Sequence, residues 1–570
     1  MKKKTHSNHT TLEMASLPSS SFAFRALHNR SLKRSHPRPA ISCRANGEHD
    51  KLDRRDVLIG LGGLYGLGTT LPALSLPIQA PDISQCGAPT LPAGAEPINC
   101  CPPYTSTIID YKLPSPSTPL RVRPAAHTVN PDYIAKYNKA VELMRALPDD
   151  DPRSFNQQAK VHCAYCDGAY NQVGFDDLEL QIHFSWLFFP WHRFYLHFHE
   201  RILGKLIGDD SFALPFWNWD APAGMTLPLM YTKSDSALYD KLRDAKHQPP
   251  TLVDLDFNGV DPTYTAAQQI DHNLKIMYRQ VVSNGKTATL FMGSPYRAGD
   301  QPSPGPGSFE NVPHGPVHVW TGDRNQPNGE DMGTLYSAAF DPIFFAHHGN
   351  IDRIWDVWRG LGGKRTNFTD KDWLNTSFLF YDENAQLVRV KVSDCLDASK
   401  MRYTYQKVDV PWLTSRPTSA TANKRALLTK KPATTTSTAV KFPLVLKKAV
   451  SITVKRERVS RNGNEKEKEE EVLVVEGIEV EKGVYTKFDV YINAPAEGVT
   501  PAESEFAGSF VSVPHRHKHV AKINTSLRLG ITDLLEDLKA EGDESIVVTL
   551  IPRKGKGKVK VGGVSIEFSS

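Results

Sequence analysis

The chain lacks three features that would assign it to a common class. It contains no internal repeat of the solenoid kind, which excludes a repeat array. Only 7 of its 570 residues are cysteine, too few for a scaffold built on disulfides alone. Its long apolar run, residues 57–74, is short for a membrane span, so we expect no stable membrane anchor in the mature form. The sequence therefore predicts a large hydrophobic core with a second module.

Basic residues are in excess only in the first part of the chain. Residues 1–55 hold 12 Lys and Arg against 4 Asp and Glu, a net charge of +8. Because the whole chain carries +5, the remaining residues carry the difference, −3. A slightly acidic protein offers no strong attraction for a polyanion, so we expect no nucleic-acid partner.

Two targeting signals are predicted in series at the amino terminus. Residues 1–53 include a stretch rich in Ser, Arg, Pro and Ala and nearly free of acids, as in a plastid transit peptide. Residues 54–79 begin with twin arginines and continue into the apolar run, as in a twin-arginine export signal. A bare signal anchor is the alternative for this second segment. Together the two signals predict delivery to the thylakoid lumen of the chloroplast.

The remaining sequence changes in character near residue 413. Residues 80–412 contain apolar residues at helical spacing, in segments ended by proline or glycine, and predict a mainly α catalytic domain with a helical-bundle core. Residues 413–442 are rich in Thr, Ser, Ala and Lys, which is typical of an exposed linker that a protease cleaves. Residues 443–570 contain short β-branched stretches, which predict a small all-β sandwich or barrel.

One pair of histidines has the spacing of a metal site. His314 and His318 are four residues apart, so on a helix they project from one face and can bind the same ion. His348, near the start of a later predicted helix, is available as a third ligand. A zinc hydrolase is an alternative interpretation, but it would be expected to have a carboxylate ligand or general base beside HGPVH.

A second set of three histidines lies upstream, and its surroundings indicate the metal. His162, His183 and His192 are separated by 21 and 9 residues, which is not the pattern of one helix. Aromatic residues are dense around them, and no carboxylate stands at ligand spacing. Neutral imidazoles in an apolar shell favour copper over magnesium, calcium or manganese. The competing interpretation is that His183 and His192 only pack in a core.

Six other histidines are weighed less favourably as ligands. His197 and His199 are predicted to pack or to form hydrogen bonds, because they follow His192 on the same helix. His347 is left open between facing away from the metal and lining the substrate entrance. The alternating histidines of PHRHKH are predicted to share an exposed strand face, with metal binding as the alternative: His515, His517 and His519.

Several motifs together resemble one family. The segments HCAYC, HFSWLFFPWHR, PFWNWD, HGPVH and DPIFFAHHGNIDRIW resemble those of plant polyphenol oxidases, the catechol oxidase and tyrosinase group with coupled binuclear copper. Asp372-Trp373-Leu374 and KFDVYINA, residues 487–494, resemble two further signatures of the plant enzymes. The resemblance covers essentially the whole chain and implies that the helical domain holds two copper ions.

The resemblance also implies covalent and coordinate bonds. His162, His183 and His192 would bind the first copper, and His314, His318 and His348 the second. Cys166 would form a thioether with the His183 ring, whereas a free nucleophilic Cys166 is the competing interpretation. Two disulfides would join the amino-terminal lead to the core: Cys86–Cys101 and Cys100–Cys163.

The family further implies which residues tune the reaction. Glu310, four residues before His314, would hold a water that helps to deprotonate phenols. Gly315 and Val319 follow the two copper ligands of HGPVH, and Gly315 lacks the amide that favours hydroxylation of monophenols. Leu335 stands where the family commonly has a phenylalanine gate, and Phe340 where it commonly has arginine. A non-aromatic gate is expected to admit bulkier phenols.

The resulting functional prediction is an oxidase made as a latent precursor. It would oxidise o-diphenols to o-quinones while O₂ is reduced to water, with small phenols and O₂ as substrates and an activating protease as partner. The β domain would cover the copper entrance until the linker is cut. The alternatives are a tyrosinase with monophenol hydroxylase activity, a specialised biosynthetic phenol oxidase such as an aurone-forming enzyme, and, more remotely, a haemocyanin-like oxygen carrier.

Overall fold

The computed structural model describes residues 76–419, 440–495, 498–520 and 522–569, all within one compact unit, Ala73–Ser570. The predicted targeting signals and most of the predicted linker lie outside the described residues. We call residues 76–419 the helical domain and residues 440–569 the β domain. None of the described helices has the length and apolar character needed to cross a bilayer.

Ten α-helices are described, eight of them in the helical domain. They are α1 Pro131–Arg145, α2 Phe155–Cys166, α3 Phe188–Leu206, α4 Ala266–Met277, α5 Ala288–Met292, α6 Gly315–Thr321, α7 Ile343–Gly360, α8 Lys371–Asn375, α9 Gly463–Lys468 and α10 Thr532–Asp537. Short 3₁₀ turns occur at Ile83–Gln85, Pro222–Gly224, Leu229–Tyr231, Ala245–His247, Ala338–Phe340, Val392–Asp394 and Pro411–Thr414. Wider turns occur at Tyr278–Ser283 and Glu310–His314.

Local sequence explains how the core helices begin and why they are buried. The Asn130 side chain accepts a hydrogen bond from the Tyr133 N–H, and Pro131 occupies the first position of α1. Ser154 caps α2 in the same way. Helix α3 is buried on nearly all sides, as expected of a helix at the centre of a bundle, and its buried residues include three histidines. It packs against α7.

Sixteen strands are described, and those of the β domain form two antiparallel sheets. The strands are β1 Ile109–Asp110, β2 Arg121–Arg123, β3 Asn171–Gln172, β4 Phe175–Glu179, β5 Ser377–Tyr381, β6 Leu387–Lys391, β7 Tyr403–Tyr405, β8 Leu444–Val445, β9 Val450–Lys455, β10 Glu470–Glu481, β11 Thr486–Ile492, β12 Phe506–Ser512, β13 Lys522–Gly530, β14 Ser545–Lys554, β15 Val559–Val561 and β16 Gly563–Ser569.

The two sheets of the β domain enclose their own core. One has the order β13-β10-β15-β8, with β16 also paired to β10, and the other has the order β12-β11-β14-β9. Their inward apolar side chains form a separate cluster between the sheets. The predicted fold class, a mainly α domain followed by a small all-β sandwich, is confirmed.

The two domains share an extensive apolar interface. Strand β12 contacts α6 and the turn Glu310–His314. Val511 and Val513 of the β domain belong to the hydrophobic cluster of the helical domain. The β domain therefore packs directly over the segment that contains His314 and His318.

The prediction of an exposed strand for PHRHKH is wrong in two respects, although His519 is exposed as expected. Residues 513–520 are not part of a strand, and His515 and His517 are each only 1% exposed. His517 pairs with Glu179 of the helical domain, also buried, and His515 stacks on Phe184. Alternation in the sequence predicts a shared face but not its burial, because the residues that cover His515 and His517 are distant in the chain.

Candidate metal centre

The two predicted sets of histidines lie side by side in the helical core. His162 comes from α2, His192 from α3, and His183 from the loop before α3, and their ring centroids lie 5.2–5.7 Å apart. The rings of the second set lie 4.6–5.4 Å apart. The sets face each other, because the rings of His192 and His348 stack at 4.1 Å. All six rings are at most 2% exposed.

Backbone carbonyls orient four of the six rings. The Nδ1 atom of each of these rings lies 2.8–3.1 Å from a carbonyl oxygen, which accepts its proton and leaves Nε2 with a lone pair. The pairs are His162 with Leu335, His192 with Phe188, His314 with Glu310, and His318 with Met332. The sequence did not reveal these acceptors.

The free nitrogen atoms point to a cation. The Nε2 atoms of His162, His192 and His314 are buried without a hydrogen-bond partner. The Nε2 atoms of His318 and His348 lie 3.3 Å apart, and His318 Nε2 carries no proton to share, because its proton is on Nδ1. Buried lone pairs that converge without donors are what a bound metal would satisfy.

Burial keeps these imidazoles neutral. It lowers the pKa of His162 to about 3 and that of His318 to about 4. The pKa values of the other four rings are lowered by the same cause. Uncharged imidazoles are the form that binds a metal, and they suit copper.

His347 lies close enough to His314, His318 and His348 to be a candidate ligand of the same metal ion. The Trp219 indole N–H donates to His347 Nδ1 over 3.1 Å, so the neutral ring carries its proton on Nε2. A protonated nitrogen is not a ligand, and His347 does not line the cavity described below. His197 hydrogen-bonds to Tyr111, and His199 stacks on Phe345.

The cysteines occupy three environments. Disulfides join Cys86 to Cys101 and Cys100 to Cys163, each with a Cα–Cα distance of 5.7 Å. Cys166 is free and buried, and it forms a compact group with His162 and His183. Burial raises the pKa of its thiol well above the usual value, which disfavours a nucleophilic thiolate. Cys395 is also free and buried.

A small cavity borders the histidines at the domain interface. It measures about 10 Å³, about enough for one water molecule. Its lining contains residues of both domains: His183, Phe184, Pro306, Glu310, Asn311, His314, Gly315, Leu335, Val511 and Val513. Val319 is half-buried on α6 and does not line this cavity.

Contacts around the cavity show how the domains fit together. A Cβ atom added to Gly315 would lie 2.8 Å from Val511 Cγ1, so the glycine makes room for the valine. Glu310 accepts a hydrogen bond from the Phe184 N–H at 2.7 Å through one carboxylate oxygen, and its other oxygen has no partner. Burial raises the pKa of this carboxyl group well above its usual value.

Sequence reasoning missed the residues that close the site from the β domain. Val511 and Val513 alternate in GSFVSVPH, which indicates that they share a face. The alternation does not indicate which surface that face contacts. Phe184 is one of the dense aromatic residues around His183, and nothing in the sequence distinguishes it from the others.

A helical bundle that buries two facing groups of neutral histidines could hold metal ions, and neutral imidazoles suit copper. The common central domain of tyrosinase matches residues 152–361, the polyphenol oxidase middle domain matches residues 367–418, and the chloroplastic polyphenol oxidase C-terminal domain matches residues 442–568. The chain belongs to the plant polyphenol oxidase family and is a tyrosinase-family oxidoreductase, for which the family implies a binuclear copper centre.

Relatives named for different activities are similar over most of the chain. A chloroplastic polyphenol oxidase of Malus domestica is 58% identical over 559 residues, 94% of each chain. Aureusidin synthase of Antirrhinum majus is 56% identical over 501 residues, 86% of this chain and 89% of its own. The chloroplastic (+)-larreatricin hydroxylase of Larrea tridentata is 50% identical over 550 residues, 93% of this chain and 94% of its own.

Two solved structures have the same architecture. Latent apple tyrosinase is 60% identical, with a TM-score of 0.77, and the match covers 81% of this chain and 100% of that one. A latent aurone synthase is 42% identical, with a TM-score of 0.82, and the match covers 86% of this chain and 99% of that one.

Proposed function

We propose that this protein oxidises o-diphenols to o-quinones with O₂ and is made as a latent precursor. The observation that carries the proposal is the pair of facing, buried histidine triples, in which four of the six Nε2 atoms have no hydrogen-bond partner. His162, His183 and His192 would hold one copper ion, and His314, His318 and His348 the other. When bound, the copper pair supplies the two-electron oxidation of a catechol, and one O₂ takes up the electrons and protons of two catechols to form two waters.

The protein contributes orientation, dryness and proton handling. Backbone carbonyls hold the ligand rings, as on His162 and His318, so the ligands do not reorganise when a substrate arrives. The free oxygen of Glu310 is available to hold a water or to accept a phenolic proton. A thioether between Cys166 and His183 is proposed on their proximity; forming it removes one hydrogen from the thiol and one from the ring, and O₂ would take up these two hydrogens.

A preference for diphenols follows from the residue after the first ligand of the second copper. Gly315 has no side-chain amide to orient a water beside Glu310. Hydroxylation of monophenols is the second candidate, because Glu310 is in place, and relatives named as a larreatricin hydroxylase and an aureusidin synthase are 50% and 56% identical. We assign the diphenolase reaction as the main activity.

Latency is supported by the closed cavity and by the contacts that hold it closed. About 10 Å³ does not accommodate a phenol, and Val511 and Val513 occupy the space above Gly315. The buried ammonium group of Lys487 lies 3.0 Å from Asp256 across the domain interface. We propose that cleavage within residues 413–442 releases residues 443–570 and opens the copper entrance of residues 80–412.

The site of action is proposed from the leader sequence and from the names of the relatives. Relatives 54–58% identical are named as chloroplastic. The transit peptide of residues 1–53 and the signal of residues 54–79 would then direct the protein to the thylakoid lumen.

The decisive experiment combines copper quantitation with a substrate panel on the full chain, before and after cutting the linker. We expect two coppers per chain, oxidation of 4-methylcatechol and chlorogenic acid after cutting, and a much slower reaction with tyrosol. His348→Ala should lower the copper content, whereas His199→Leu, at a buried histidine without hydrogen bonds to its ring, should not. Equal activity before and after cutting would disprove latency, and equal rates with tyrosol and 4-methylcatechol would disprove the diphenol preference.

A further inference from the structure

Phe184 lies between the metal centre and the β domain, although it belongs to the helical domain. It directly follows the proposed copper ligand His183. Its ring stacks on His515 at 5.4 Å and contacts Phe510 at 6.4 Å, both in the β domain. Among the described residues it is the single member of the buried cluster of the β domain that the helical domain contributes. It is 6% exposed in this arrangement.

The backbone of Phe184 is held from within the helical domain. Its N–H donates to Glu310 at 2.7 Å, and its carbonyl accepts a hydrogen bond from the Gly305 N–H at 2.9 Å. Its φ is +57°, a left-handed conformation that a bulky residue adopts only when its surroundings impose it. Because these contacts do not involve the β domain, the backbone conformation and the direction of the Cα–Cβ bond are held without it.

Removing the β domain therefore uncovers a ring at the mouth of the site. Phe184 lines the cavity together with Glu310, Gly315 and Leu335. Without Val511 and Val513, it is the one aromatic residue of this lining other than the histidines. Leu335 and Gly315 present no aromatic face, so Phe184 is the one phenyl ring that this lining offers to a phenol beside the imidazole rings of His183 and His314.

We propose that Phe184 is a substrate-binding residue of the cleaved enzyme, which stacks on the ring of a catechol and supplies the aromatic contact that Leu335 cannot make. In the precursor the same ring is an anchor for the β domain. This inference rests on the proposed function, because it requires a precursor whose β domain is removed. The ligand class is a ring-substituted phenol or catechol, held by an offset or edge-to-face aromatic contact.

The test uses the full chain, folded and loaded with copper, with a site for a specific protease placed within residues 420–439 and cut after purification. In the cut Phe184→Ala protein we expect the KM for 4-methylcatechol to rise about three- to tenfold, the size of one aromatic contact. Alanine keeps the Cβ atom, so the cost of the positive φ at this position stays about the same. Phe184→Tyr should keep the KM of the wild type.

Three further variants separate binding from folding. Phe184→Leu retains apolar bulk without an aromatic face and should raise the KM even if the alanine variant folds poorly. Leu335→Phe added to Phe184→Ala should restore the KM, because it returns a ring to the opening. Tyr104→Ala removes an aromatic residue that is 66% exposed and outside the cavity lining, and should change nothing.

The outcomes distinguish this inference from the proposed function. An unchanged KM in the cut Phe184→Ala and Phe184→Leu proteins overturns the inference, even if uncut Phe184→Ala gains activity, because the ring is then only an anchor. If the cut wild-type protein does not oxidise catechols, the proposed function fails. Calorimetric binding of benzoate to the cut, copper-loaded protein then decides the inference: weaker binding by Phe184→Ala supports it, and equal binding refutes it.

Discussion

The close contact between Gly315 and Val511 predicts that adding one methyl group, in Gly315→Ala, weakens latency. In Gly315→Ala, the new Cβ atom would lie 2.8 Å from Val511 Cγ1 and 3.5 Å from Val513 Cγ2. Carbon atoms in favourable contact are about 3.5–4.0 Å apart, so the valine would have to move by about 1 Å. The backbone of Gly315 has φ −58° and ψ −49°, which alanine adopts without strain. The substitution therefore adds no backbone strain, and its steric effect falls on the contact with the β domain.

The size of the effect follows from packing. Overpacking a close-fitting core costs about 1–3 kcal/mol. Here the cost applies to the closed state, because the three atoms nearest to the methyl group all belong to Val511 and Val513 of the β domain. Since about 1.4 kcal/mol corresponds to a factor of ten, the open fraction of the uncut protein should rise about 5- to 150-fold.

The assay is the ratio of uncut to cut activity on 4-methylcatechol, which cancels any effect of the methyl group on turnover. Gly315→Ala should raise this ratio, and Val511→Ala added to it should lower the ratio again by restoring space. The double-mutant cycle measures that coupling directly. If the ratio for Gly315→Ala equals that of the wild type, or if the two substitutions do not couple, the packing explanation of latency is wrong.

Three further predictions follow from other contacts. Asp256→Asn removes the carboxylate charge 3.0 Å from the Lys487 ammonium group across the interface, while Lys487 keeps Asp489 within the β domain, and should raise the uncut-to-cut activity ratio several-fold; an unchanged ratio would argue against an electrostatic latch. Burial raises the pKa of Asp331 from 3.8 to about 9, so the folded chain keeps a proton that the unfolded chain releases above pH 4, and stability should fall as pH rises towards 9. Tm measured at pH 5, 7 and 9 should fall less steeply for Asp331→Asn, and an equally steep fall contradicts this assignment. Native Cys166 should resist alkylation, and peptide mapping of the copper-loaded protein should find it joined to His183 with the loss of two hydrogens, whereas separate peptides would exclude the thioether.

Part of the fold was predictable because its causes are local. The spacing of apolar residues and the capping side chains around α1 indicated a helical domain, and the β-branched stretches after residue 443 indicated a sandwich. The prediction for His515 and His517 was wrong because alternation reports which residues share a face and not what covers that face. Here Glu179 and Phe184, more than 300 residues away in the chain, bury them.

For the candidate site, residue identity indicated the chemistry, and tertiary contacts decided the details. Histidines without nearby carboxylates favour copper, a property of the side chains that spacing makes visible. Which of His347 and His348 is the candidate ligand depends on Trp219, 128 positions before His347 in the chain. Its indole N–H donates to His347 Nδ1 and so sets the tautomer of the His347 ring.

The sequence by itself determined the two histidine triples, the helical and β halves and the family, because these depend on side-chain chemistry and on local periodicity. Only the tertiary structure decided how the site is closed, since Val511 meets Gly315 through the folding of two separate domains. It also decided the place of Phe184, whose backbone is held by Glu310 while its ring enters the β domain. Contacts between distant segments depend on how surfaces fit together, and no local pattern encodes that fit.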